Sequence, residues 1–195
     1  MPARYAVDPK AAEERFRDAS RAVHPDRFAT ADPRARRFAT QRTVQLNEAW
    51  RTVKDPVRRA EYLLALAGFD VGAESGPTRP RGPDGAGAER IAIPTALLSE
   101  ILDLREELAT ARAAGDDAHV QKLARDVRER VTEVMDRVGY GFARAEGEPK
   151  GSAEELRTLE TVTHDLVELR YLRRFLDEVD AHDEAIAAGG EPSLA

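Results

Sequence analysis

The chain has 195 residues, of which 34% are charged and 6% aromatic, and its formal net charge is −6. It contains no cysteine, which excludes disulfides, thiolate metal sites and cysteine nucleophiles within the chain. It has no run of 18 uncharged apolar residues, and its first residues lack the apolar core of a secretion signal. We therefore expect no membrane span and a cytoplasmic location.

Charge is distributed unevenly along the chain. Residues 1–72 carry 14 Lys/Arg and 10 Asp/Glu, whereas the remaining residues carry 16 and 26. A basic front and an acidic back predict two separate binding surfaces. The basic excess is too small to indicate nucleic acid as the partner.

Three Asp-Pro pairs mark predicted helix starts in the first 70 residues. An aspartate can accept hydrogen bonds from the first-turn amides, and proline fits the first helical position. We expect the helices to run to about Val23, Lys54 and Leu66, with Gly68 as the last stop. The pairs are Asp8-Pro9, Asp32-Pro33 and Asp55-Pro56.

Apolar residues at helical spacing predict which faces of the first two helices pack together. The first stripe consists of Ala12, Phe16, Ala19 and Val23. The second consists of Phe38, Leu46, Ala49, Trp50 and Val53. This part of the chain is predicted to be a helical hairpin followed by a shorter helix.

The rest of the chain is predicted to be a linker followed by a helical bundle. Residues 72–93 are rich in Gly and Pro, which indicates a flexible linker without a packed element. Three helices then follow, the first from Pro94 to near Gly115 and the last from about Ser152. Their apolar seams can bury one another as an antiparallel three-helix bundle. The prediction is an all-α protein with domains 1–71 and 94–188 and a frayed end at 189–195.

The tripeptide His24-Pro25-Asp26 lies between the two hairpin helices. It could be a simple turn, in which His24 caps a helix end and Asp26 accepts from nearby amides. Arg17 and Arg21 recur on one face of the preceding helix, which could be an ordinary solvated face. The residues alone leave these alternatives open.

The surrounding sequence resembles a J-domain. After the tripeptide come Asn47-Glu48-Ala49-Trp50 and then Asp55-Pro56-Val57-Arg58-Arg59-Ala60, a pattern similar to the end of the third J-domain helix and the segment after it. The resemblance implies that His24, Pro25 and Asp26 trigger ATP hydrolysis by a DnaK-type chaperone. It implies that Arg17 and Arg21 contact an acidic surface of that chaperone, with Arg27 as a further candidate.

The family normally has an apolar helix before the Pro-x-x-Tyr segment, which here is Pro2-Ala3-Arg4-Tyr5. This chain begins at Met1, so either its start was placed too late or the domain lacks that first helix. In the second case we expect part of the hairpin's apolar stripe to be exposed.

A second candidate surface lies on the first helix of the predicted bundle. Leu98 and Leu102 lie beside the core seam, with Asp103 and Glu106 flanking them. Apolar residues with an acidic rim are typical of a docking patch. The alternative is that both leucines only broaden the core stripe.

This part of the chain resembles the bundle of the HscB-type J-domain co-chaperones. The resemblance is carried by Leu104-Arg105-Glu106-Glu107-Leu108 and by the segment 169–176, Leu-Arg-Tyr-Leu-Arg-Arg-Phe-Leu. It implies that the bundle binds an IscU-type iron–sulfur scaffold. The implied contact residues are Leu98, Leu102, Asp103, Glu106 and Phe175. Ser99 and Thr110 depart from the family pattern.

The chain itself is not expected to be an enzyme, and no cofactor or metal is expected. Its four histidines share no metal-ligand spacing, and there is no Gly-rich phosphate loop or Gly-x-Ser-x-Gly. Two alternatives to an HscB-type protein remain. A general J-domain protein would serve another client of a DnaK/HscA-type chaperone, and a structural adaptor would function without His24.

Overall fold

The computed structural model describes residues 4–72, 76–81 and 87–187. The predicted frayed end at 189–195 lies outside these ranges, as do Pro2 and Ala3 of the family pattern. The described residues are helical apart from one two-stranded sheet, which confirms the predicted fold class. The chain divides after Ala67 into two compact units.

The first unit contains the three predicted helices, α1 (Pro9–Val23), α2 (Pro33–Lys54) and α3 (Pro56–Leu66), with a 3₁₀ turn at Pro25–Phe28. Each begins at its predicted Asp-Pro pair, because the aspartate accepts from first-turn amides. The Asp8 and Asp32 carboxylates, for example, accept at 2.9 Å from Lys10 N and 2.8 Å from Arg34 N. Gly68 follows α3 with φ +85°, as a helix stop requires.

Aromatic stacking joins α1 to α2. The rings of Phe16 and Trp50 lie 4.8 Å apart between centroids at an angle of 11°. The predicted α2 stripe is wrong at two positions, because Phe38 is 54% exposed and Ala49 is also exposed. The face turned to α1 contains Thr43, whose hydroxyl donates to Val23 O at 3.2 Å and to Ala39 O at 2.9 Å.

The first unit has a sparse apolar interior. No side chain of α1 is fully buried, including the four residues of its predicted stripe. The four stripe residues are half-buried. Among the described residues of this unit, three further large apolar side chains are also exposed: Val44, Tyr62 and Leu66.

The second unit begins with a small antiparallel hairpin. Its strands are β1 (Thr78–Pro80) and β2 (Ala88–Arg90), with Thr78 opposite Arg90 and Pro80 opposite Ala88. Both lie within the segment predicted to lack any packed element, so that prediction is wrong for these residues. Three-residue strands are too short to show an alternating pattern, and Gly and Pro dominate the sequence around them.

Helix contacts anchor this hairpin region within the second unit. The guanidinium of Arg170 donates to Val71 O at 2.7 Å, and Arg79 pairs with Glu160 at 2.6 Å. Phe69 and Ile91 are buried. The segment before the bundle is therefore part of the second unit's packing.

The bundle consists of α4 (Thr95–Ala113), α5 (Asp117–Glu146) and α6 (Ala153–Ala187). Ion pairs Glu107–His119 and Glu100–Arg130 show that α4 and α5 run antiparallel. The predicted seams form the core, which includes the following buried residues: Ile101, Leu108, Val120, Val127, Val134, Val138, Leu159, Val162, Leu166, Leu169 and Leu172.

A close approach of α5 and α6 occurs at Gly141. A β-carbon added there would lie 2.4 Å from Val162 Cγ2, a distance that real contacts do not show. Val162 is fully buried, so it has little room to move. The two helices therefore need glycine at this position.

We predict that Gly141→Ala lowers the free energy of unfolding by about 1–3 kcal/mol, the usual cost of overpacking. Urea denaturation measures this. Val162→Ala provides the matched control, because it removes the methyl group that the new β-carbon would meet. The double variant should lose less free energy of unfolding than the sum of the two single losses. Strictly additive losses would show that the contact between position 141 and Val162 does not cause the destabilisation.

Candidate functional site

The His24–Asp26 loop protrudes between α1 and α2, where the chain reverses direction. His24 ends α1 with extended backbone (ψ 130°), as expected for a residue that precedes proline. The 3₁₀ turn that follows is closed by Arg27 N donating to His24 O at 3.1 Å. These backbone bonds give the loop a defined shape.

The two titratable side chains of the loop face solvent. The His24 side chain is 54% exposed and that of Asp26 is 89% exposed. His24 Nδ1 accepts from the Asp26 backbone N–H at 3.3 Å. This geometry fits a neutral imidazole that carries its proton on Nε2 and can offer it to a partner.

The basic residues around the loop have partners within the chain. Arg17 pairs with Glu13 at 2.7 Å, and Arg21 lies 3.5 Å from Asp18. Arg27 donates to Arg21 O at 3.3 Å, which ties the turn back to α1. The exposed α1 face thus combines cations with carboxylates, so its net positive charge is smaller than the arginines alone indicate.

On the bundle, α4 carries the predicted apolar patch. Leu102 is 60% exposed and Leu98 is half-buried. Asp103 and Glu106 are exposed beside them. Other α4 side chains, among them Leu97 and Ile101, fill the core, and Leu102 lies outside the core stripe.

Helix α6 lies beside the patch. Since α4 and α6 are both antiparallel to α5, they run in the same direction, and Arg105 of α4 pairs with Glu178 of α6. Two turns, about 10.5 Å, separate residues seven apart on a helix. Leu98 on α4 and Tyr171 on α6 each lie seven residues before a member of this pair, so they lie about two turns from it on the same sides of their helices. Tyr171 is half-buried, and this alignment places it level with Leu98 along the bundle.

The predicted contact residue Phe175 does not lie on this surface. It is 1% exposed, so its ring is part of the bundle core and cannot reach a partner. The sequence placed both aromatics on one helix, and only the rotation of α6 about its axis decides which one faces outward. Contacts such as that of Arg105 with Glu178, 73 residues apart, set this rotation, and the sequence pattern does not show them.

An ion-pair network fixes the three helices relative to one another. Arg130 of α5 pairs with Glu100 of α4 at 2.8 Å and with Glu168 of α6 at 2.7 Å. Arg137 continues the network to Glu168 and Asp165. Burial raises the pKa of the Asp165 carboxyl, although Arg137 acts in the opposite direction.

Among the described residues, no group of three or more His, Cys, Asp or Glu side chains is placed to hold a metal ion. Within the same residues, no helix is long and apolar enough to cross a membrane.

Comparison with known proteins finds one matching family model for the second unit and two solved structures that resemble most of the chain. Residues 93–180 match the family described as the HSCB C-terminal oligomerisation domain. The structure resembles chaperone HscB from Vibrio cholerae, with a TM-score of 0.69 and 25% identity over 95% of this chain and 94% of that one. It also resembles the human co-chaperone protein HscB in fold, with a TM-score of 0.66 and 22% identity over 94% of this chain and 78% of that one.

Proposed function

We propose that this chain is an HscB-type co-chaperone, which stimulates the ATPase of a DnaK/HscA-type chaperone and delivers an IscU-type scaffold to it during iron–sulfur cluster assembly. The two activities use separate surfaces. The loop at His24, Pro25 and Asp26 acts on the chaperone, and the patch on α4 holds the scaffold.

The observation that carries the proposal is the exposure of His24 and Asp26 on a loop of defined shape. His24 Nδ1 is used within the turn, but about half of the His24 side chain and most of the Asp26 side chain are open to a partner. Since the backbone is held before binding, docking costs less conformational entropy than ordering a flexible loop. ATP hydrolysis belongs to the chaperone, so no catalytic group is required here.

Arg17, Arg21 and Arg27 support the same interaction at the edge of the loop. Their guanidinium groups are exposed, and their pairs within α1 are surface pairs of small energetic value. An acidic partner can therefore replace the internal carboxylates at little cost. Such contacts speed association and weaken with salt.

For the scaffold, the proposed contact residues are Leu98, Leu102, Asp103 and Glu106, with Tyr171 in place of Phe175. Exposed leucines with an acidic rim suit a partner that presents an apolar spot flanked by basic groups. The tyrosine adds an aromatic side chain of the kind that is enriched at interfaces.

We predict that Leu98→Ala combined with Leu102→Ala weakens scaffold binding roughly tenfold or more, because it removes apolar area at the centre of the patch. Calorimetry with an IscU-type scaffold measures this. Leu66→Ala is the matched control, since Leu66 is also 60% exposed but lies on α3 of the first unit. Equal affinities for all three proteins would contradict the assignment of the patch.

The second candidate function is that of a general J-domain protein for another client. Ser99 and Thr110, which depart from the family pattern, favour this second function because they alter the predicted scaffold surface. It shares the dependence on His24 but requires no affinity for an iron–sulfur scaffold. Calorimetry on the wild-type chain separates the two, and an absence of binding heat at several temperatures would favour the general J-domain function.

A further inference from the structure

A second basic surface lies on α2, the helix that follows the loop. We call it the arginine face and define it by Arg34, Arg37, Phe38, Gln41 and Arg42, all exposed. Phe38 lies at its centre, with the Arg42 guanidinium 5.1 Å from its ring centroid. Asp32 and Pro33 close one end of a shallow groove along this face.

The whole positive excess of the first 72 residues resides in this part of α2. Residues 33–47 contain four arginines and no acidic residue, whereas the rest of 1–72 contains ten basic and ten acidic residues. The α1 face beside the loop contributes little excess positive charge, because Arg17 pairs with Glu13 and Arg21 with Asp18.

No carboxylate neutralises Arg34 or Arg37 among the described residues. The nearby Asp32 carboxylate is engaged elsewhere, accepting from the backbone amides of Arg34 at 2.8 Å and Ala35 at 2.9 Å. Arg42 interacts with the Gln45 amide oxygen at 3.3 Å and with the Phe38 ring, both uncharged. The guanidinium charges of this face are therefore available to a partner.

The arginine face points away from α1. Thr43 marks the side of α2 that packs on α1, because its hydroxyl donates to Val23 O. Phe38 precedes Thr43 by five residues, which places it about 140° around the helix. The exposed phenylalanine consequently does not complete the hairpin core and has no packing role within it.

We propose that the arginine face binds an acidic surface of the same DnaK/HscA-type chaperone and supplies most of the electrostatic attraction in that complex. The inference rests on the proposed function. Guanidinium groups around an exposed aromatic ring are the side chains most enriched at the centres of protein interfaces. Because Arg34 and Arg37 have no ion-pair partner among the described residues, this face favours a partner of opposite charge.

The chaperone is the favoured occupant because the face is close in sequence to the loop. Only seven residues separate Asp26 from Arg34, and part of that segment is held by Ala31 N donating to Phe28 O at 3.0 Å. A protein that covers the loop can therefore extend onto the start of α2. Nucleic acid is disfavoured, since the three arginines of this face, on a chain of net charge −6, form a small cationic footprint.

The test uses the full chain with Arg34→Glu and Arg37→Glu together, and separately with Phe38→Ala. The control is Arg125→Glu with Arg144→Glu on α5, which changes the charge by the same amount at exposed arginines of the second unit. Steady-state ATPase assays of a DnaK-type chaperone measure the concentration for half-maximal stimulation and the maximal stimulation. The assays are run at about 50 and 200 mM salt.

We expect the double reversal on α2 to raise the half-maximal concentration roughly tenfold or more at low salt, with the same maximal stimulation and a weaker salt dependence. Phe38→Ala should raise it less and leave the salt dependence unchanged. The control should match the wild type.

The inference would be overturned if the α2 variants stimulated the ATPase as well as the control does, or if the charge reversals on α2 and α5 raised the half-maximal concentration equally. It would also be overturned if the α2 reversal lowered the maximal stimulation without changing the half-maximal concentration. Reduced binding of a short DNA duplex by an α2 variant with normal chaperone stimulation would assign the face to nucleic acid instead. Failure of the proposed function differs from all of these, because the wild-type chain would then not stimulate the ATPase.

Discussion

Replacing His24 by glutamine should abolish the stimulation of the chaperone ATPase while the protein stays folded. The imidazole is exposed, and its Nδ1 accepts a 3.3 Å hydrogen bond from the Asp26 amide. Glutamine retains a polar group of similar size, so it should preserve the loop but not the ring that the partner recognises. A steady-state ATPase assay should show the basal chaperone rate at every concentration of the variant.

The control for this experiment is His119→Gln in the bundle, which removes an imidazole that pairs with Glu107. It should stimulate as the wild type does. Scaffold affinity and melting temperature should be unchanged in His24→Gln. A variant that still stimulates normally would assign the loop to a connecting role and favour the structural adaptor.

Replacing Phe175 by alanine should lower the free energy of unfolding by about 3–5 kcal/mol, as expected when a large core side chain is removed and a cavity remains. The ring is 1% exposed, on a helix that contacts both other helices of the bundle. Denaturant unfolding monitored by circular dichroism measures the change. Any loss of scaffold binding should follow the fraction of unfolded protein.

Tyr171→Ala is the matched comparison, one helical turn earlier on α6. Because Tyr171 is half-buried and level with Leu98 along the bundle, its removal should weaken scaffold binding with a smaller loss of stability. The assignment would be contradicted if Phe175→Ala were as stable as the wild type yet bound no scaffold, or if Tyr171→Ala bound normally.

Local signals in the sequence predicted the helices well. The Asp-Pro pairs at Asp8, Asp32 and Asp55 and the stop at Gly68 depend on hydrogen bonds between neighbouring residues. Such bonds need no tertiary information, so the sequence can specify them. The third bundle helix likewise begins after Ser152, whose hydroxyl accepts from Glu155 N at 3.1 Å.

Features that depend on packing between elements were predicted less well. Thr43 faces α1 because two carbonyl oxygens satisfy its hydroxyl, and a pattern of apolar residues alone does not include it. The choice between Tyr171 and Phe175 depends on the rotation of α6 about its axis. Contacts with α6 help to hold the hairpin at 78–80 and 88–90. One of them joins Arg79 to Glu160, which is 81 residues away in the sequence.

The charge pattern predicted two separate binding surfaces, but it did not show which basic residues of the first unit keep their charge unpaired. The helix before the loop contains Arg17 and Arg21, and the family resemblance directed attention to them. In the folded chain their neighbouring carboxylates offset that charge, whereas Arg34 and Arg37 lack such neighbours among the described residues. The distribution of ion pairs, rather than the number of arginines, therefore locates the free positive charge.

The most direct test of the two-surface account is one series of steady-state ATPase assays of a DnaK-type chaperone with the chain, an IscU-type scaffold, or both. The account predicts stimulation by the chain alone and a larger, synergistic rate with the scaffold. His24→Gln should remove both effects, and the Leu98→Ala, Leu102→Ala variant only the synergy. A scaffold effect that persists without the two leucines, or stimulation that persists without His24, would contradict it.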